Sequence, residues 1–250
     1  MRVTTQHPTA TPSSVADEIT ARLRRMGDSA RACGTQQYFK NEIVALGITA
    51  PVLRLFMRER MSQLRRSWDL SKAIQLCNRL LQEPELEIRM AGILALAAFK
   101  RAFTLDLLPH AESWLERQLD NWALVDTFCS SVLSPLLAQH PQAERTLVRW
   151  SRKKSLWQRR APLVTLVPFA RRGQYLDLVY RLCLDHLSNP EDLMHKAIGW
   201  LLREAGKTDR ARLRQFLLRH GPAIPRTTLR YAIEHFAAIE RAELMRATRA

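Results

Sequence analysis

Trp122 and Asp126 stand four residues apart in Asn121-Trp122-Ala123-Leu124-Val125-Asp126-Thr127-Phe128, the opening of an apolar run that continues through Val132, Leu133 and Leu137. If the run is a helix, the two side chains share one face, a turn apart. An aromatic surface beside a carboxylate suits a cationic, planar substrate, because the ring attracts positive charge and the carboxylate stabilises it. Against this stands the habit of Trp to pack in cores and of Asp to sit on helix surfaces. Support comes from three further stretches: Leu156-Trp157-Gln158-Arg159-Arg160-Ala161-Pro162, Ala197-Ile198-Gly199-Trp200-Leu201-Leu202-Arg203-Glu204 and Leu229-Arg230-Tyr231-Ala232-Ile233. In the second, Lys196, Trp200, Arg203 and Lys207 recur at steps of four, three and four, which sets a large aromatic among cations on one face. Gly199 admits a close approach to the backbone. Interleaved bases and aromatics suit phosphates and sugars. Trp157 is expected in the core at a helix start, and His195 on a helix surface.

The scaffold that must position these residues reads as helical throughout. Only 8 glycines occur, and helix formers dominate. Val15, Ile19, Leu23 and Met26 form a first stripe that ends near Gly27. A short segment at Gln37–Asn41 follows, and Thr49-Ala50-Pro51 restarts a helix that runs past Met61. Helix pairs then recur: Leu70–Gln82 with Glu85–Lys100, Asp106–Leu119 with Trp122–Gln139, Glu144–Arg152 with Trp157–Arg171, Tyr175–Leu187 with Glu191–Ala205, and Arg210–Arg219 with Thr227–Ala237. Breakers such as Pro84, Pro141, Pro190, Gly221 and Pro225 mark the loops. A period of about 35–40 residues per pair belongs to two-helix repeats of the HEAT and armadillo kind. The expected fold is all-α: one right-handed α–α superhelical solenoid of degenerate repeats over residues 15–250, C-shaped, with a basic concave face made by the second helix of each pair. Residues 1–14, rich in Thr, Pro and Ser, read as a flexible tail and not as a secretory signal.

Charge points to the partner. The net charge is +15, and it is uneven: residues 1–140 carry 17 Lys+Arg against 14 Asp+Glu, whereas residues 141–250 carry 22 against 10. A basic half on a helical scaffold is the footprint of a polyanion, most often nucleic acid. No apolar run approaches the roughly 20 residues that span a membrane. Cys33, Cys77, Cys129 and Cys183 lie far apart, without zinc or redox spacing, and read as apolar fillers in a reducing compartment.

The chain resembles the DNA alkylation repair family of HEAT-like-repeat DNA glycosylases, the AlkD type, from about Gln37 to Tyr231. The resemblance rests on Tyr38-Phe39-Lys40-Asn41 with Leu46-Gly47-Ile48, on Trp122-x-x-Val125-Asp126, on Trp157-x-x-Arg160-Ala161, and most specifically on Lys196-Ala197-Ile198-Gly199-Trp200-x-Leu202-Arg203-Glu204. It implies excision of N3- and N7-alkylated purines from double-stranded DNA. By position, Trp122, Asp126 and Trp200 would form the catalytic cleft that meets the lesion-bearing deoxyribose. Arg160 would contact the DNA backbone, with Arg159 as second candidate, and Tyr38 would edge the cleft; Lys196, Arg203 and Lys207 are further DNA-binding candidates. The family often has a Trp where this chain has Asn121 and an Asp where it has Ala123. No metal and no cofactor is expected, and the resemblance fits a cytoplasmic monomer that joins the nucleoid when bound to DNA.

The chemistry has its own logic. Alkylation at N3 or N7 makes the purine cationic and hence a good leaving group without protonation. One carboxylate then suffices to stabilise an oxocarbenium-like sugar and position a water. Tryptophans packed on the sugar exclude solvent and strengthen its field; a shallow solenoid face offers no deep pocket for a flipped base, and the resemblance implies that the lesion is engaged through the sugar and backbone instead. The alternatives are a non-catalytic module for damaged, bent or branched DNA, and a protein-interaction scaffold.

Overall fold

The computed structural model describes residues 10–249. They form an all-helical α–α solenoid that falls into two compact units, dividing after Thr104. The sequence reads as one domain over residues 15–250.

In the first unit, helix α1 spans Pro12–Met26 and buries Val15, Ala16, Ile19, Thr20 and Leu23. Its start corrects the expected tail, whose first nine residues lie outside the described ones. The Thr11 hydroxyl accepts the Ser14 N–H while the Ser14 hydroxyl accepts the Thr11 N–H, and Pro12 pre-sets the first turn. Helix α2, Ser29–Gln36, was not foreseen: it buries no residue, so it carries no apolar stripe to read. Helices α3 (Ala50–Leu64), α4 (Leu70–Leu80) and α5 (Leu86–Ala97) follow, and α5 packs on α3 and α4. The Leu46-Gly47-Ile48 signature is a structural device. The buried Glu87 carboxylate of α5 accepts the backbone N–H groups of Leu46, Gly47 and Ile48 at 2.8, 2.8 and 3.1 Å. Gly47 has φ +77°, and a Cβ there would lie 2.2 Å from the Asp28 carbonyl, so only glycine fits.

The second unit opens with α6 (Leu107–Arg117) and α7 (Trp122–Phe128), continues through α8 (Ser134–Gln139) and α9 (Glu144–Trp150), and centres on α10 (Leu156–Ala170). Helices α11 (Leu176–Asp185), α12 (Asp192–Ala205), α13 (Arg210–His220), α14 (Arg226–Ala232) and α15 (Ala238–Ala247) complete it. Helix α10 packs against α6, α7, α9, α11 and α12 and is buried nearly all round, as its lack of a polar face requires. The expected continuous helix Trp122–Gln139 is interrupted by a π-helical stretch, Cys129–Leu133. Pro135 has no N–H for the carbonyl of residue 131, and the chain widens just before it. The Ser134 hydroxyl lies 2.9 Å from the Cys129 carbonyl and 2.8 Å from the Thr165 carbonyl, which ties the widened turn to α10. Helix α14 stops at Ala232, short of the expected Ala237, and α15 buries only Leu244. No described helix is long and apolar enough to cross a membrane.

Candidate functional site

Asn121 caps α7: its side-chain oxygen accepts the Leu124 N–H at 3.1 Å. The departure from Trp at this position therefore has a structural role, fixing the first turn that carries Trp122. One turn on, Asp126 meets Arg160 of α10 in a bidentate pair, with Nε to Oδ1 and Nη2 to Oδ2 both at 2.9 Å. The guanidinium is buried, its side chain 5% exposed, whereas the Asp126 side chain keeps 19% of its surface open. The remaining Arg160 nitrogen, Nη1, donates to the Leu193 carbonyl in the first turn of α12. Arg160 thus joins the helix of Trp122 and Asp126 to the helix of Trp200.

Arg160 directs one N–H from each of its nitrogens to Asp126 and Leu193 inside the protein, whereas the family resemblance implies a contact with the DNA backbone. Arg159, the second candidate, turns its Nη1 back to the carbonyls of Lys153 and Lys154. The cations around Trp200 are also engaged. Lys196 pairs with Asp192 at 2.9 Å, and Arg203 pairs with Glu234 and stands 3.4 Å from Glu204. Lys207 bonds both oxygens of Glu204, at 3.0 and 2.8 Å, and Arg171 adds its Nε at 2.7 Å. Glu204 is buried; burial works to raise its carboxyl, but hydrogen bonds from Lys207 and Arg171 and their charges together hold it below the usual carboxylate range. These ion pairs brace the ends of α10, α12 and α14 against one another. Tyr38, in the first unit, is 68% exposed.

The six tryptophans separate into two classes. Trp68, Trp114 and Trp150 are core; Trp122, Trp157 and Trp200 are half-buried, each keeping indole surface open. Trp157 therefore departs from its expected place in the core, where the start of a buried helix seemed to put it. Gly199 admits a close approach, but what approaches is α14: a Cβ there would lie 2.7 Å from the Thr228 carbonyl. Burial pushes the Cys129 thiol well above its ordinary range, with the Asp126 charge adding to the effect, so no thiolate stands beside the carboxylate. Among the described residues no cluster of three or more His, Cys, Asp or Glu could hold a metal ion.

The arrangement offers a fixed carboxylate with open lone pairs, a half-open indole one turn before it, and a second half-open indole on a helix linked through Arg160. It can stabilise a cationic centre or orient a water. A family model described as DNA alkylation repair enzyme matches residues 19–236. A solved structure described as a predicted DNA alkylation repair enzyme from Enterococcus faecalis shares the fold, with a TM-score of 0.76 and 19% identity over 85% of this chain and 97% of that one. A search of curated proteins found no match.

Proposed function

The chain belongs to the family of DNA alkylation repair enzymes, and on that premise we propose that it is a monofunctional DNA glycosylase that hydrolyses the N-glycosidic bond of N3- and N7-alkylated purines in double-stranded DNA. The observation that carries this reading is the Asp126 carboxylate, clamped on one side by Arg160 and open on the other. A cationic alkylpurine departs without help from an acid. What remains is to stabilise the oxocarbenium-like sugar and to orient a water, and Asp126 does both. Its pair with Arg160 is neutral overall, so its pull is felt at contact distance and not from afar. Trp122 and Trp200 supply that contact by packing on the deoxyribose and displacing solvent. Lesion recognition through the sugar leaves the base unflipped. The enzyme works as a monomer in the cytoplasm, on the nucleoid when bound.

The test is the product. Incubated with methylated duplex DNA, the protein is expected to free 7-methylguanine as the base and leave an unbroken strand carrying an abasic site. A second reading, a non-catalytic module for damaged DNA, draws on the same salt bridge, since a carboxylate clamped by arginine also serves as a plain strut. Tight, salt-sensitive duplex binding without any freed base would select it.

A further inference from the structure

The Tyr231 side chain springs from the place where α12 lacks one. A Cβ built on Gly199 would lie 2.5 Å from the Tyr231 Cβ and 2.7 Å from the Thr228 carbonyl, distances that no side chain tolerates. Glycine at 199 therefore lets α14 lie directly on α12, and the position next to Trp200 on the α12 surface is filled by Tyr231 instead. The mounting is rigid on both sides. The buried Thr228 hydroxyl donates to the His195 carbonyl at 3.0 Å, one turn before Gly199, and Glu234, one turn after Tyr231, pairs with Arg203 of α12. A tyrosine fixed this firmly would be expected to bury its ring, yet Tyr231 stays 37% exposed.

We infer that Tyr231 is a further DNA-contacting residue, an aromatic platform rooted beside Trp200 that packs on the deoxyribose of the nucleotide next to the lesion. The inference rests on the glycosylase reading for the word lesion, but not for the contact with DNA. Every deoxyribose has an apolar face, so packing of this kind is indifferent to sequence and suits a protein that must act wherever damage falls. Nucleotides along one strand recur at about 3.4 Å, so an aromatic of α14 rooted against α12 next to Trp200 meets the neighbouring sugar. Two aromatics at adjoining roots therefore hold two consecutive nucleotides where a lone Trp200 would hold one. The hydroxyl is not needed; the ring is.

The experiment uses full-length Tyr231→Ala and Tyr231→Phe, with melting temperature, affinity for a duplex bearing one 7-methylguanine and for its undamaged counterpart, and single-turnover excision. Tyr231→Phe is expected to match the wild type. Tyr231→Ala is expected to keep its melting temperature within a few degrees and to bind both duplexes about tenfold more weakly, the order expected when one aromatic face loses its apolar contact. Should the alanine variant melt early, Tyr231→Leu keeps an apolar contact with α12 and is expected to show the same loss. Wild-type affinity in the alanine or leucine variant would overturn the inference, as would a loss in Tyr231→Phe equal to that in Tyr231→Ala. Failure of the glycosylase reading is seen separately, as absence of freed base from the wild type while the binding comparison still stands.

Discussion

Two carboxylate oxygens offer about four lone-pair positions, and Arg160 takes two of those on Asp126. The rest face the open side, where a sugar or water can be met. On the proposed function, Arg160 acts through Asp126 as a positioning residue. Arg160→Ala should strip excision by more than about tenfold while the salt slope of DNA binding stays at the wild-type value, since no phosphate contact is lost; a slope reduced by about one would restore a direct phosphate contact. The same variant should lose about 3 kcal/mol of stability, the low end for breaking a buried pair because Asp126 keeps some solvent, measured by denaturant unfolding. Arg160→Lys should recover little, because an ammonium cannot bridge both oxygens and the Leu193 carbonyl. That Trp122, Asp126 and Trp200 stand out was legible in spacing and residue type, and Arg160 in the family resemblance. The direction of Arg160 was not: an arginine in a basic chain reads as outward, and its third partner is a backbone carbonyl, which leaves no mark in a sequence. The cap by Asn121 was readable, since Asn just before an apolar run is an N-cap signature.

Between residues and molecule stand the helices that set the angle of the site. Helices α4, α5, α10 and α12 were plain from their apolar spacing, because each buries most of its length or a full face. Helix α2 was not, because it buries nothing, and the π-helical turn after Asp126 was not, because the apolar spacing runs on through Val132, Leu133 and Leu137 as in one continuous helix. That turn registers α7 against α10, with the Cys129 thiol 3.5 Å from the Ala161 carbonyl and Ser134 on Thr165. Ser134→Ala should cost about 1–2 kcal/mol, the net worth of a buried hydrogen bond and its orphaned carbonyl, and should lower single-turnover excision more than DNA affinity. Equal loss in both would mean that the turn supports the fold alone. In the first unit, Glu87→Gln should loosen the loop at residues 46–48, since an amide offers one acceptor oxygen to three N–H groups held by two. Hydrogen exchange at Leu46, Gly47 and Ile48 reads this directly, and unchanged protection would count against it.

For the whole molecule, pH acts through groups whose folded values lie below their ordinary ones. Glu204 is held low as described, and the Arg24 hydrogen bond leads the causes that hold Glu85 low. For Glu112, burial opposes and hydrogen bonds from Lys153 and Trp150 win. Burial lowers His186. In every case the unfolded chain binds the proton more readily, so these groups add stability above their unfolded values and lose it as pH falls through the folded ones. Stability should therefore begin to decline below about pH 6.5 as His186 charges, and steepen below about pH 4.5 as the carboxylates protonate; a melting temperature level from pH 7 to pH 4 would contradict this. The central claim concerns one carboxylate acting on one bond. The measurement that tests it most directly is single-turnover release of 7-methylguanine from methylated duplex DNA, wild type beside Asp126→Asn, with DNA affinity measured on the same samples. The account predicts release by the wild type, a rate lower by well over about tenfold in the variant, and duplex affinity equal or higher because a negative charge is gone. Full activity in Asp126→Asn would contradict it.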